Sequence, residues 1–279
     1  MRLLAHAKNI HSQTGEDGVL AKILEILGPG DRWCVEFGAW DGQHLSNTCN
    51  LIQNSGFSAV LIEGSPQRHQ DLTQRFGSNP KVIALNRFVG YSPGDNLDTI
   101  LAGTPIPQNF DLLSIDIDGN DYHVWEATAT YVPKVVCIEF NPSISSEVDF
   151  VQPADPGLNQ GASVLAMARL GKKKGYELVA VTSFNAIFVR AEYFPLFGIA
   201  DNSPRTLRED ISSVTHVFCG FDGTIFLTGS GQMPWHGVRL AGRVRQLPKP
   251  FRRYPGNFGP LTSKVFKLYR KLLKLVGRA

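Results

Sequence analysis

Of the 279 residues, 43% are hydrophobic and 19% charged, proportions of a globular chain with a sizeable core rather than a disordered or fibrous one. The four cysteines, Cys34, Cys49, Cys137 and Cys219, show no C-x-x-C spacing, and buried free thiols in a reducing compartment are expected. The net charge of +3 hides a division: residues 1–200 hold 14 Lys+Arg against 21 Asp+Glu, and residues 201–279 hold 14 against 4. A domain over 1–200 and a basic C-terminal extension over 201–279 are therefore expected, the extension suited to an anionic partner. The opening residues carry too short an apolar run for a signal peptide, and no stretch is long enough to span a bilayer, which predicts a cytoplasmic location.

In chain order, Ser12-Gln-Thr-Gly-Glu-Asp17 precedes an apolar-periodic helix that ends at Gly28-Pro29-Gly30. An apolar strand from Trp33 to Phe37 runs into the turn Gly38-Ala39-Trp40-Asp41-Gly42, and a helix is predicted over His44–Ser55. Strands at 58–62, 81–85, 111–117 and 134–140 alternate with helices, including one from Pro66 to Phe76 and a short one over 96–101. The segment from Pro142 to Gly161 has three prolines and no periodicity, and its length suggests a functional loop, often a lid. A helix capped by Ser163 and a hairpin over 176–181 and 186–189 complete a doubly wound α/β, mostly parallel sheet with a terminal antiparallel hairpin. In such a sheet, ligands bind along the strands' carboxyl edge.

The turn after the first strand carries the functional reading. Its glycines allow close approach of a ligand to the backbone, and a helix N-terminus behind them offers unpaired N–H groups. Glu63, at the tip of the second strand, is placed to accept hydrogen bonds from both ribose hydroxyls of a nucleoside. A dinucleotide such as NAD asks for G-x-G-x-x-G, whereas this turn reads Glu36-x-Gly38-x-x-x-Gly42 and has the bulky Trp40. S-adenosylmethionine lacks a phosphate and fits better. A strand-turn-helix with no ligand is the alternative, as is a non-catalytic nucleoside-binding or scaffold protein.

The chain resembles the FkbM-type S-adenosylmethionine-dependent methyltransferases. The motifs are Ser12-Gln-x-Gly-Glu-Asp17, Glu36-x-Gly-Ala-x-Asp-Gly42, Ser46-Asn47-Thr48, Leu61-Ile62-Glu63, Asp111-Leu-Leu-Ser-Ile-Asp116-Ile-Asp118-Gly119 and Asn185-Ala-Ile-Phe-Val189, in order over roughly residues 12–195. The resemblance implies a class I methyltransferase fold and O-methylation of a sugar, glycan precursor or related metabolite. It adds Ala39, Asn47 and Asp116 to Glu36, Gly38, Gly42 and Glu63 as donor-binding positions. One departure is clear: related loops read Asp-x-Glu-Gly-x-Glu, and here Asp118 and Asp121 are a methylene shorter.

A hydroxyl acceptor needs a base or a metal to remove its proton. The fourth strand supplies Asp116, Asp118 and Asp121, with His123 behind them, and the fifth supplies Glu139 and Asn141. Asp116, Glu139 and Asn141 offer hard oxygen ligands for Mg²⁺. Asp118, Asp121, His123 and Glu139 are the candidates for catalysis without metal. The third alternative is that these acids cap the following turn and helix. An EF-hand loop is excluded, because Gly119 falls at its fourth position and Ala127 at its twelfth.

In the extension, Asp222-Gly223 marks a hairpin over 214–227, and residues 246–260 are expected to be extended. An amphipathic helix from Ser263 to Arg278 places Lys264, Lys267, Lys271, Lys274 and Arg278 on one face and Val265, Leu268, Tyr269, Leu272 and Val276 on the other. Its expected partner is either the chain's own acidic body or an anionic membrane surface, peripheral to the inner face. Nucleic acid ranks third, since the chain shows no nucleic-acid module.

Overall fold

A computed structural model describes residues 2–233 and 236–275. The chain forms two compact units, one ending at Ile211 and the other beginning at Ser212. In sequence, 212–279 holds 12 basic residues and one acid, Asp222, so the charge division is sharper at this boundary.

The first unit is built on strands β1 (Trp33–Phe37), β2 (Ser58–Glu63), β3 (Val82–Asn86), β4 (Leu112–Ile115), β5 (Val135–Glu139), β6 (Tyr176–Val181) and β7 (Asn185–Arg190). They form one sheet in the order β3-β2-β1-β4-β5-β7-β6, parallel except that β7 runs antiparallel to β5 and β6. This is the expected α/β fold class, a seven-stranded, mostly parallel sheet that ends in an antiparallel hairpin. The central strands are mostly apolar and buried, with polar residues such as Glu36, Ser114 and Glu139 among them, because helices cover both faces. One layer of core includes Val35, Phe37, Ile62, Ile115, Trp125 and Phe188, and the other includes Leu20, Ile23, Cys34, Leu61, Leu72 and Cys137.

The helices are α1 (Glu16–Leu27), α2 (Cys49–Asn54), α3 (Pro66–Phe76), α4 (Leu97–Leu101), α5 (Asp121–Ala127), α6 (Val164–Lys173) and α7 (Pro204–Leu207). Ser65, Asn96 and Ser163 cap α3, α4 and α6 through their side-chain oxygens, and Pro66 opens α3. Cys34, Cys49 and Cys137 are buried free thiols, and Cys219 is exposed. Residues 201–211 belong to this unit: Arg208 is buried, donates to the carbonyls of Pro142 and Ile144, and bridges to Val181.

The helix expected over 44–55 is reduced to six residues. Glu36 and Asp41 hold the preceding segment in turns, and Leu45 takes φ 56°. The long segment 142–161 is tied down along its length. Gln152 is buried, its Oε1 accepts from the amides of Gln160 and Gly161, and its Nε2 donates to Leu158 O. The structure therefore shows a strap rather than a free lid.

The second unit holds an antiparallel sheet in the order β10-β9-β8, from β8 (Thr215–Cys219), β9 (Thr224–Gly229) and β10 (Arg243–Arg245). The hairpin predicted at Asp222-Gly223 is present, with Gly223 at φ 75°. Helix α8 spans Pro260–Leu275, so it starts earlier than expected, and Val276 and Arg278 lie outside the described residues. Among the described residues, no helix is long and apolar enough to cross a membrane.

Candidate active site

The β1 turn is held together from inside. Glu36 lies buried one residue before the end of β1, and its carboxylate accepts from Ser46 Oγ at 2.6 Å, the Asn47 amide at 2.8 Å and Thr48 Oγ1 at 2.7 Å. Burial still pushes its carboxyl above the ordinary range, because three neutral donors do not replace full hydration. Ser46-Asn47-Thr48 is thus the clamp on Glu36. Asn47 is spent on it, and its Nδ2 donates to Ser114 Oγ on β4 at 3.1 Å.

The amides expected to face a ligand are also taken. Those of Gln43 and His44 donate to Asp41 Oδ1, and that of Cys49 donates to Ser46 Oγ. The predicted helix N-terminus behind the glycines is therefore absent, because side chains of the turn satisfy its donors first.

The two glycines have packing reasons of their own. At Gly38, φ is 75° and an added Cβ would lie 1.7 Å from the carbonyl oxygen of Asp116. At Gly42, φ is 78° and a Cβ would meet Leu72 and Phe76 of α3 at 2.6 and 2.7 Å. Ala39 is buried, its amide bonded to Ile62 O at 3.2 Å.

Glu63 sits buried at the tip of β2. One oxygen accepts from the Trp40 amide at 2.8 Å and the other from the Ser65 amide at 2.7 Å. A carboxylate has about four acceptor positions. Glu63 therefore keeps capacity that Glu36 has largely used. Trp40, at φ 49°, lies under the Arg68 guanidinium (3.6 Å to the ring centroid) and 5.2 Å from His44.

Three acids converge at the neighbouring tips. Asp116, Asp118 and Glu139 bring one carboxylate oxygen each to within 4.8 Å of one another. Burial, then the surrounding acids, pushes the carboxyls of Asp116 and Glu139 well above the ordinary range. Asp118 takes φ 57°, and its own amide donates to Glu139.

Asp121 is a turn cap, accepting from the amides of Ile117 and Gly119 at 2.9 Å each. Burial nevertheless pushes it up to about 6. His123 Nε2 lies 2.8 Å from Gln152 O, so the carbonyl selects the Nε2–H tautomer and the ring anchors the strap. Asn141 does not join the acids. Its Oδ1 accepts from the amide and hydroxyl of Ser143, and its Nδ2 donates to Gln160 O. Of the ligands expected for a metal, Asp116 and Glu139 meet here, and Asp118 is the third acid beside them.

Sequence reasoning gave no role to Glu16, although it lies in a quoted motif. Glu16 is buried and accepts from Thr182 Oγ1 and Asn185 Nδ2, tying the N-terminal segment to the β6–β7 turn. Asn185 stands opposite Glu139 in the β5–β7 register, and its Oδ1 is buried without a partner among the described residues. A polar strand start beside an acid-ended strand was the available signal. The strap lays its backbone against the acid loop: Asn159 Nδ2 donates to Asp118 O at 2.6 Å, and a Cβ at Gly119 would lie 2.7 Å from Leu158 O.

No family model and no curated protein matches the chain, so the FkbM-type resemblance rests on its motifs alone. Solved structures similar to it include the N-terminal domain of EvdMO1 in the presence of SAH and D-fucose (13% identity, 63% of this chain and 82% of that one, TM-score 0.41). The mitomycin 7-O-methyltransferase MmcR is similar at 17% identity over 57% of this chain and 48% of that one, TM-score 0.34. So is M. jannaschii TYW2 in complex with AdoMet, at 14% identity over 66% and 79%, TM-score 0.37. At values this low, the likenesses assign neither a donor nor an acceptor to this chain.

Proposed function

We propose that this chain is an S-adenosylmethionine-dependent O-methyltransferase of the FkbM type, acting on a hydroxyl of a sugar, glycan precursor or related small metabolite. The observation that carries the reading is one edge of one sheet. Glu63 closes the β1 turn with acceptor capacity to spare, and two strands away Asp116, Asp118 and Glu139 converge. Glu63 accepts from the ribose hydroxyls, and the β1 turn forms the wall beside it. S-adenosylmethionine, when bound, supplies a methyl carbon on a positively charged sulfur.

The chain's own work is to orient the acceptor and take its proton. A carboxylate of the triad would take the hydroxyl proton as the O–C bond forms, and the bound donor would supply the methyl carbon and keep the electron pair of its S–C bond. Carboxyls raised by burial and by one another, as at Asp116 and Glu139, hold a proton more tightly than ordinary ones, so an ionised member of the triad is the stronger base. Asp121, His123 and the strap hold this edge in place.

A second reading is favoured by the convergence itself. Three carboxylates within 4.8 Å suit a hard divalent cation such as Mg²⁺, which would lower the acceptor's pKa. Asp116, Asp118 and Glu139 would hold it.

Calorimetric titration with S-adenosylmethionine, S-adenosylhomocysteine and NAD tests the donor. Binding of the first two and not the third is expected. Glu63→Ala should weaken it by at least tenfold, since a hydrogen bond to a charged group contributes about 1.5–3 kcal/mol. Unchanged affinity in the folded variant overturns the assignment of Glu63. No binding of either adenosyl compound leaves the scaffold alternative. Turnover that chelator abolishes and Mg²⁺ restores selects the metal reading.

A further inference from the structure

We infer that helix α8 lies on an anionic lipid bilayer and inserts one defined stripe, Leu261, Val265, Leu268, Leu272 and Leu275. These five follow one another at steps of four, three, four and three, which at 100° per residue gathers them into an arc of about 80°. All five are between 47% and 82% exposed. The helix has a different apolar side for its own unit: Phe266 packs on Phe251 and Phe258 at 5.2 Å each, and Tyr269 packs on Phe251 at 5.3 Å. Tyr269, expected on one apolar face with Leu268 and Leu272, packs instead with Phe266 on the inner side. The remaining arc carries Lys264, Lys267, Arg270, Lys271 and Lys274, and the helix has no acidic residue.

Charge decides what covers the stripe. The spacing alone would suit a second copy of the helix, but two copies would set lysines against lysines with no acid to pair. Nucleic acid would meet the cations and leave five aliphatic side chains in water. An anionic bilayer takes both: the stripe enters the acyl boundary while the flanking lysines reach lipid phosphates and carboxylates. The rest of the unit has the same character. Of 21 large hydrophobic side chains exposed among the described residues, 13 lie beyond Ser212, and eight of these, including Phe218, Phe221 and Phe226, are outside the α8 stripe. The inference is independent of the methyl-transfer reading.

The test is sedimentation of the full chain with vesicles of phosphatidylcholine alone and of phosphatidylcholine with phosphatidylserine, at low and high salt. Binding to the serine-containing vesicles is expected, and it should fall as the Debye length shrinks from roughly 8 Å at physiological salt to 3 Å at 1 M. Lys267→Gln and Lys271→Gln should each weaken partitioning about fivefold, the equivalent of roughly 1 kcal/mol per cation. Leu268→Gln with Leu272→Gln should weaken it at least tenfold, whereas Leu272→Met, which keeps the apolar area, should bind like the parent chain.

Circular dichroism and donor titration on the same samples confirm that the variants are folded and separate this result from the fate of the donor site. Absence of binding at low salt, equal binding to both vesicle types, or unchanged binding of the double leucine variant overturns the inference. If light scattering shows a dimer that the leucine variant abolishes while vesicles are ignored, the occupant is a second copy and the bilayer is wrong.

Discussion

Glu36→Ala removes a buried carboxylate with three donors at 2.6–2.8 Å. Hydrogen bonds to a charged group contribute about 1.5–3 kcal/mol each, which sets a gross loss of roughly 4.5–9 kcal/mol. Two terms reduce it. The hydroxyls of Ser46 and Thr48 stand 3.5 Å apart and can turn toward each other, and the burial cost that raises the Glu36 carboxyl disappears with it. The Asn47 amide, buried and with no second acceptor in the clamp, carries the penalty that remains. A net loss of about 2–4 kcal/mol follows.

With a urea slope of about 2 kcal/mol per molar, the midpoint should fall by roughly 1–2 M at unchanged slope, read by tryptophan fluorescence. The pH dependence adds a second check. A carboxyl raised in the folded state contributes stability that is present below its unfolded value and lost as pH rises through the folded one. Glu36→Gln, which resembles the protonated side chain, should therefore gain on the parent chain between pH 5 and pH 8. A Glu36→Ala midpoint within about 0.3 M of the parent, together with lost donor affinity, would show that the carboxylate faces a ligand and that the clamp is misread.

Gly38→Ala should destabilise by about 2–5 kcal/mol, from the left-handed backbone and the Asp116 carbonyl together, and a folded variant of parental stability would refute the close approach. Lys134→Met should lower stability by about 2–3 kcal/mol in urea titration, because it strips the buried Asp111 of an ion pair at 2.6 Å and leaves only backbone donors such as the Arg32 amide. Asp118→Asn and Glu139→Gln should each cut methyl transfer at least about a hundredfold while donor affinity stays within a few fold, and parental rates in both would return these acids to a structural role.

What the sequence determined by itself was the succession of elements and the acids at their tips. Alternating apolar runs, glycine turns and capping residues are local signals. They marked β1 through β7, the helix start at Pro66, the Ser163 cap and the Asp222-Gly223 hairpin without any long-range information. Side-chain direction and distant partners are not local, and the structure alone decided them. The glycines of the β1 turn suggested room for a ligand, yet Gly38 answers to a carbonyl 78 positions later in the chain and Gly42 to the side chains of α3. Glu36 and Glu63 both looked like ligand acids, but a clamp ten to twelve residues onward consumes the first and two amides occupy only part of the second. Asp118 stands with Asp116 and Glu139 because a left-handed residue there turns that loop toward Glu139, while Ser143 donates to the side-chain oxygen of Asn141. In α8 the period of 3.6 fixed an amphipathic helix, but which apolar side meets Phe251 and which stays open depended on where the chain before it folded back.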